Sequence, residues 1–221
     1  MTDRQDQATS LATSADSSLW TAHRTSPGWP SPERSRSRAK VFGIGTLKTG
    51  TTSLGAALSI LGCNHTHKNR EKLLRHIRAN EMDSVYKWVD RHDSFEDWPW
   101  PLIYRELDAR YPGSRFILTV RAHESDWLKS IVGLSERVGP TRGREMFFGY
   151  SMPIGHERQY LERYRAHIQE VRKHFRGRPD QLLEISWGKG DEWQRLCGFL
   201  GLPIPYAPFP RINTRANPVR K

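Results

Sequence analysis

The chain has 221 residues, enough for one globular domain and a tail, and a formal net charge of +11 at pH 7. Its two cysteines, Cys63 and Cys197, provide neither a disulfide framework nor a Cys/His zinc spacing, and no apolar run is long enough to span a bilayer. We therefore expect a reduced, cytoplasmic protein without a membrane span. About +9 of the charge lies beyond residue 40, which predicts an anionic partner: nucleic acid, a membrane surface or a small polyanion such as a nucleotide.

Residues 1–38 are rich in Ser, Thr, Asp, Arg and Pro and end in "SPGWPSPERSRSR". Such a composition buries too little apolar surface to offset the entropy lost on ordering. We predict a disordered tail at 1–38, followed by one folded domain at 39–221.

The folded part begins with "KVFGIG" at 40–45, a short apolar run typical of a buried parallel strand, and "TTSLGAALSILG" at 51–62 predicts the helix that follows. Further strands are predicted at 114–121 and 180–187, and further helices at 68–80, 100–112, 124–138, 156–176 and 191–201. Strands that alternate with helices predict an α/β fold, a parallel β-sheet of the phosphate-loop type with helices on both faces.

Between the first strand and helix lies the stretch "GTLKTGTTS" at 45–53, the context that a phosphate-binding loop requires. Backbone N–H groups of such a turn, with the helix N-terminus, can cradle an anion. In nucleoside triphosphatases a lysine follows the last glycine of this loop. Here Gly50 is followed by Thr51, and the lysine is Lys48. The alternative interpretation is an ordinary Gly/Thr-rich turn.

The segment "KTGTTS" after a strand resembles the 5′-phosphosulfate loop of sulfotransferases that use 3′-phosphoadenosine-5′-phosphosulfate (PAPS). "FILTVRAHESDWLKSI" resembles that family's 3′-phosphate segment, and "DSFEDWPWPLIYRELDARYPGS" and "WQRLCGFLGLPIPYAPFPRIN" resemble a compact, mostly uncharacterised branch of it. The resemblance covers about residues 40–213. It implies transfer of a sulfuryl group from PAPS to an alcohol, phenol or amine, with 3′-phosphoadenosine-5′-phosphate (PAP) as product and no metal ion.

The resemblance also implies a role for Lys48, which would stabilise the leaving phosphate as the bond to sulfur breaks. The residues expected to hold the donor's 5′ end are those of the loop and the first helical turn: Thr46, Leu47, Lys48, Thr49, Gly50, Thr51, Thr52 and Ser53.

For the 3′-phosphate, the resemblance implies Arg121 at the end of "FILTV" and Ser130 on the next helix. The serine comes nine residues after the arginine, whereas the family usually has eight, so Ser125 is the alternative. Arg211 and Arg215 could also reach this phosphate, although the family's late basic-basic-glycine pattern is absent. The competing interpretation of Arg121 is a surface arginine in an ion pair.

The reaction needs a base near the sulfur to accept the proton of the attacking group. Many members of the family have a histidine two residues before a proline, and the matching pattern "EDWP" has Asp97 there. Asp97 could instead be the N-cap of a helix that begins near Trp98 or Pro99. Other candidates for the base are nearby: Asp93, Glu96, His92, His65 and His67.

The acceptor site is the least defined by the sequence. Trp98, Phe147 and Tyr150 could line an apolar cleft for a small-molecule, lipid or glycan acceptor, although aromatic residues more often pack in a core. The segment "FFGYSMPIG" at 147–155 is typical of a mobile lid.

Other functions compete with this one. A P-loop kinase or nucleotide hydrolase would need a lysine after Gly50 and an acidic residue at the end of "FILTV" for Mg²⁺, and neither is present. A nucleic-acid-binding module would need basic residues interleaved with aromatic ones, and the sequence has no such motif. A non-catalytic nucleotide-binding protein is a further alternative.

Overall fold

Five parallel strands form one sheet in residues 39–212, the part of the chain described by this computed structural model. The strands are β1 (Val41–Gly43), β2 (His65–Thr66), β3 (Ser94–Phe95), β4 (Arg115–Thr119) and β5 (Leu182–Ile185), in the order β2-β3-β1-β4-β5. The three predicted strands are confirmed as β1, β4 and β5. The predicted tail at 1–38 and Arg215 lie outside the described residues.

Eight helices surround the sheet in the described part of the chain: α1 (Thr51–Ile60), α2 (Arg70–Arg78), α3 (Met82–Val89), α4 (Tyr104–Arg110), α5 (Glu124–Val138), α6 (Arg142–Phe148), α7 (Glu157–His174) and α8 (Glu192–Leu200). A single 3-10 turn, Trp100–Leu102, precedes α4. None of these helices combines the length and the apolar character that crossing a membrane requires.

Alternating side chains of the strands face two different layers of helices. Phe42 and Phe116 pack with residues of α2, α3, α4 and α7, whereas Val41 and Ile117 pack with α1 and α8. Because successive side chains of a strand point to opposite faces, these two clusters cover opposite faces of the sheet. The predicted α/β fold with helices on both faces is confirmed.

The order in which strands are added to the sheet changes direction at β1. After β1 the chain builds β2 and β3 on one side, then crosses to β4 and β5 on the other. In open α/β sheets, ligands bind at the carboxyl ends of the strands where the order reverses. The β1–α1 loop (residues 44–50) and the end of β4 lie at this point, so the fold brings together the two segments that the sequence analysis selected for the donor.

Candidate functional site

The β1–α1 loop is held tightly between two neighbouring elements. A Cβ on Gly45 would lie 1.9 Å from Thr119 Oγ1, and a Cβ on Gly50 would lie 2.2 Å from Cδ1 of the Trp187 ring. Gly50 also has a φ of 95°, in the left-handed region that glycine adopts at little cost. Both glycines are therefore required by this loop conformation.

Three carbonyl groups of the loop are turned outward and bonded to side chains of other segments. The bonds are Trp127 Nε1–H to Leu47 O at 2.9 Å, Arg121 Nε–H to Lys48 O at 2.7 Å, and Trp187 Nε1–H to Gly50 O at 3.0 Å. The amides of the first turn of α1 have no partner within that helix. With its carbonyls directed away, the loop leaves amide groups available to an anion.

The hydroxyl groups of the loop are less available than the sequence suggests. Thr49 Oγ1 donates to Thr46 O at 2.7 Å and lies 2.6 Å from Thr119 Oγ1, and Ser53 Oγ accepts the Ile212 N–H at 3.1 Å. In contrast, Thr46 Oγ1 is buried without a hydrogen-bond partner among the described residues. We infer that Thr49 and Ser53 would serve an anion mainly through their amides, and Thr46 through its hydroxyl.

Lys48 stands in the middle of the loop with a φ of 68° and a half-buried side chain. Within residues 39–212 its ammonium makes no hydrogen bond and no ion pair. Burial lowers the pKa of Lys48, the positive charges of Arg137 and Arg121 lower it further, and Asp97 raises it. A partly desolvated cation without a fixed partner is suited to meeting an anionic ligand.

Arg121 follows β4, and only one N–H of its guanidinium, Nε–H, donates a hydrogen bond to Lys48 O among the described residues. It has no ion pair among the described residues, so the ion-pair interpretation is wrong for this conformation. Its remaining N–H groups can bind a phosphate in a bidentate way. Ser125 is exposed in the first turn of the following helix, α5, and Ser130 is partly buried in the second.

Arg211 is brought near the loop by the segment that follows α8. The Ile212 amide bonds Ser53 on α1, and a Cβ on Gly188, next to Trp187, would be 4.0 Å from Arg211 Nη1. Arg211 itself pairs with Glu192 at 2.8 Å and is half exposed. Arg211 thus lies beside the first turn of α1, and its role at the 3′-phosphate stays a prediction.

Asp97 does not cap a helix. The 3-10 turn that begins at Trp100 follows Pro99, and no side chain caps it. Instead, Asp97 Oδ2 pairs with Arg70 Nη2 at 2.7 Å, and Asp97 has a φ of 66°. The capping interpretation is wrong. The pairing with Arg70 was not predicted, because nothing distinguishes Arg70 within the helix predicted at 68–80.

Glu96, next to Asp97, has an exposed fraction of 5%, and its Oε2 has no hydrogen-bond partner in the described structure. Burial raises the pKa of Glu96 to about 8, and the Asp97 charge adds to this shift. Burial also raises the pKa of Asp97, but the contact with Arg70 opposes the shift. Arg70 contacts Asp97 directly, and its charge also lowers the pKa of Glu96, so one arginine favours the ionised form of both carboxyl groups.

The other four candidates for the base lie in two different places, before β3 and at the end of β2. Asp93 and His92 precede β3, on its amino side, and their side chains are engaged elsewhere: Asp93 Oδ2 accepts the Asn64 N–H at 3.1 Å, and His92 Nδ1 lies 3.0 Å from Trp88 O. His65 and His67 lie in and just after β2, on the side of Glu96.

The three aromatic residues predicted to line the acceptor cleft do not lie together on an open surface. Trp98 and Phe147 are 3% and 4% exposed and pack edge to face, with ring centroids 5.0 Å apart. Tyr150 is exposed and stacks on His156 with ring centroids 3.7 Å apart. Large aromatic rings are stabilised by such packing, so the predicted cleft is a buried aromatic cluster with Tyr150 outside it.

The chain is similar to known proteins. The family described as sulfotransferase domain matches residues 40–148 and 141–217. Among curated proteins, the chain is 27% identical over 227 residues to "Ava biosynthesis cluster protein M" of Aspergillus versicolor, which covers 82% of this chain and 83% of that protein.

Proposed function

The chain belongs to the sulfotransferase domain family, and on that premise we propose that it transfers a sulfuryl group from PAPS to a hydroxyl or amine of a small organic acceptor. The observation that carries this proposal is the half-buried Lys48 ammonium, unpaired among the described residues, within a loop whose carbonyls are bonded outward. Such a site attracts a polyanion and offers it amide donors and one cation.

The residues present fit a donor with phosphate at two positions. The loop amides, the Thr46 hydroxyl and Lys48 would hold the 5′ end, and Arg121, with Arg211 and a serine of α5, would hold the 3′-phosphate. When bound, PAPS would supply the sulfuryl group. The protein's fixed cations and dipoles would stabilise the charge that develops in the transition state, by analogy with phosphoryl transfer.

Lys48 would stabilise the charge that develops on the leaving phosphate. Its side chain is partly desolvated, and electrostatic interactions are stronger in such surroundings than in water. The loop is already bonded to Trp127, Arg121 and Trp187, so little reorganisation is needed as that charge appears.

Asp97 would accept the acceptor's proton. Arg70 pairs with one carboxylate oxygen and acts as a positioning residue, whereas the other oxygen, Oδ1, is buried without a partner among residues 39–212. A carboxylate oxygen that has no hydrogen-bond partner, on a side chain oriented by Arg70, is suited to accepting a proton. Glu96, whose raised pKa favours the protonated form at neutral pH, is the second candidate.

The class of acceptor is proposed from the similar fungal protein. The relative in Aspergillus versicolor is named for a biosynthesis cluster. That name supports a small molecule as acceptor, in preference to a lipid or a glycan. We keep the cytoplasmic location as part of the same proposal.

Calorimetry with PAP, AMP and ATP tests the proposal. We expect PAP to bind at least about 10-fold more tightly than AMP, because a bidentate arginine–phosphate contact contributes about 1.5–3 kcal/mol. Binding should not need Mg²⁺. Tighter binding of ATP than of PAP, together with Mg²⁺-dependent ATP turnover, would support the kinase or hydrolase alternative instead.

Transfer itself is measured with sulfur-labelled PAPS and a mixed panel of phenols, alcohols and amines. Label found in an organic product establishes the enzyme activity. PAP binding without transfer to any class of acceptor would favour the non-catalytic alternative.

A further inference from the structure

Three side chains with metal-binding atoms converge between β2, β3 and α1. One ligand atom from each of His65, His67 and Glu96 lies within 4.8 Å of the other two. His65 belongs to β2, His67 follows it, and Glu96 follows β3, the neighbouring strand. The pairing of these two short strands is what brings the three residues together.

Two of these side chains have a buried polar atom without a partner. His65 Nε2 and Glu96 Oε2 are both inaccessible to solvent and make no hydrogen bond within the described residues. An unpaired buried polar atom costs free energy, and two of them facing one small volume favour a group that both could bind.

The surroundings orient His65 toward that volume. Its other ring nitrogen, Nδ1, lies 3.0 Å from Ser94 Oγ, a contact that leaves Nε2 as the free nitrogen. A hydrogen bond of this kind to the second ring nitrogen accompanies almost every metal-bound histidine. Gly55 of α1 provides the space, since a Cβ there would lie 2.6 Å from His65 Nε2 and 3.0 Å from Glu96 Cγ.

We propose that His65, His67 and Glu96 bind a divalent first-row metal ion of the zinc type. Two imidazole nitrogens and one carboxylate oxygen are ligands that Zn²⁺ accepts, with water in a fourth position. Bonds of about 2.0–2.2 Å place tetrahedral ligand atoms about 3.3 Å apart. The exposed His67 can move over the remaining distance.

The ion would join β2 and β3 at the edge of the sheet and lie beside Asp97. The sulfuryl transfer proposed above has no step that uses it. From the sequence no metal ion is expected, because the chain has no Cys/His zinc spacing. His65 and His67 are close in sequence, but Glu96 is far from both and reaches them only because β2 pairs with β3. These three ligands therefore have no fixed sequence spacing that could be recognised.

The test uses the untagged full-length chain, stripped with a chelator and titrated with Co²⁺ followed by Zn²⁺. We expect one Co²⁺ per chain, the visible absorption bands of a four-coordinate Co²⁺, and their loss when Zn²⁺ displaces it. Zn²⁺ should also raise the melting temperature, because an ion that binds only the folded state stabilises it.

Three variants and a matched control assign the site. His67→Ala and Glu96→Gln should weaken Co²⁺ binding by about 100-fold or more, and Ser94→Ala by about 10-fold to 100-fold. His76→Ala is the control, because His76 lies on α2 and pairs with Glu81 outside the cluster. It should bind Co²⁺ like the unmodified chain.

No uptake of Co²⁺ or Zn²⁺ by the unmodified chain would overturn the proposal, and a bridging water would then explain the unpaired atoms. Binding that His67→Ala leaves unchanged would overturn it as well. His67 is exposed, so its substitution tests the site even if Glu96→Gln disturbs the core; circular dichroism shows whether it does.

Discussion

The two sides of the candidate site differ in how completely their polar groups are bonded. On the donor side, three carbonyls of the β1–α1 loop are bonded to Trp127, Arg121 and Trp187, and two buried atoms of the described residues lack a partner, Thr46 Oγ1 and His167 Nδ1. On the acceptor side, in the described segments in and after β2 and β3, several buried side-chain atoms have no partner: His65 Nε2, Glu96 Oε2, Asp97 Oδ1, Trp98 Nε1 and Trp100 Nε1.

This difference indicates that the two sides recognise their ligands differently. A loop whose dipoles are already fixed by the fold can hold an anion without reorganising. Buried polar atoms without partners are rare in native proteins and call for an explanation such as a ligand, an ion or a water. We infer that the donor side is built in advance, whereas the acceptor side is completed by what binds there.

The largest effect is expected from Lys48→Met, which removes the one donor-side cation that has no partner among the described residues but keeps a side chain of similar length. Transfer from PAPS should fall by about 1000-fold, comparable to the loss of an oxyanion-hole donor. The thermal unfolding midpoint should stay within a few degrees, because the Lys48 ammonium makes no hydrogen bond in the described structure.

The control is Lys87→Met, a change of the same charge on the exposed surface of α3. Transfer should be unaffected there. If Lys48→Met retained transfer, Lys48 would have no part in the chemistry. The β1–α1 loop would then bind the donor without stabilising its leaving group.

On the acceptor side, Asp97→Asn should lower turnover by about 100-fold, the lower end of what general bases contribute. Affinity for PAP should change by less than about 2-fold, because the Asp97 carboxylate is proposed to contact the acceptor and not the nucleotide. The comparison of kcat with the calorimetric Kd for PAP measures both.

Asp90→Asn is the matched control, since Asp90 is exposed at the end of α3 and bonds the Tyr111 hydroxyl at 2.9 Å. A loss of thermal stability by Asp97→Asn without loss of turnover would mean that the Arg70–Asp97 pair is purely structural. Turnover lost in Glu96→Gln but kept in Asp97→Asn would transfer the role of base to Glu96.

How much of this site the sequence predicts depends on how local each feature is. The strand, loop and helix around Lys48, and Arg121 at the end of β4, are continuous segments with recognisable patterns, so both could be selected from the sequence. The two-residue strands β2 and β3 have no periodicity to detect. The ion pair of Arg70 with Asp97 and the proximity of His65 to Glu96 both depend on these strands, and neither was therefore predicted.

The aromatic residues show a second limit. An aromatic residue looks the same in the sequence whether it lines a cleft or packs in a core. Trp98 and Phe147 were predicted to line a cleft, and both lie in a buried cluster. Phe147 also lies in the last turn of α6, a helix of seven residues that ends at Phe148 and is capped by Thr141. The region predicted as a lid therefore begins inside a helix. A short helix buried on one side leaves too few turns for a clear 3.6-residue pattern.

The donor side also depends on His167, which packs from α7 beneath the start of the loop. His167 Nε2–H donates to Ile44 O at 2.8 Å, and the ring is fully buried beside Tyr104 and Phe147. Burial lowers the pKa of His167 to about 4; the bond to Ile44 opposes this, and Arg163 and Arg105 add to it.

A histidine that is neutral in the folded state and has a pKa near 6.5 when unfolded destabilises the fold as the pH falls below about 6.5. The unfolded chain then binds a proton that the folded chain does not. For His167 this linkage amounts to about 2 kcal/mol between pH 7 and pH 5, and it continues until about pH 4.

Urea unfolding of the unmodified chain and of His167→Gln at pH 7 and pH 5 measures this contribution. We expect the unfolding free energy of the unmodified chain to drop by about 2 kcal/mol more than that of His167→Gln, which cannot titrate there. Equal drops in the two proteins would show that His167 is not the residue that links loop stability to pH.

The smallest effect, and the sharpest test within the donor side, comes from Arg121→Lys. Lysine keeps the positive charge but loses the planar fork that binds two phosphate oxygens, so the affinity for PAP should fall by about 10-fold. AMP lacks the 3′-phosphate, and its affinity should fall only by the part that comes from loosening the bond to Lys48 O.

The ratio of PAP affinity to AMP affinity therefore separates recognition of the 3′-phosphate from support of the loop. Arg137→Lys, at an exposed arginine of α5 whose charge also acts on Lys48, should leave this ratio unchanged. A ratio that is the same in Arg121→Lys as in the unmodified chain would mean that Arg121 holds the loop but not the nucleotide's 3′ end.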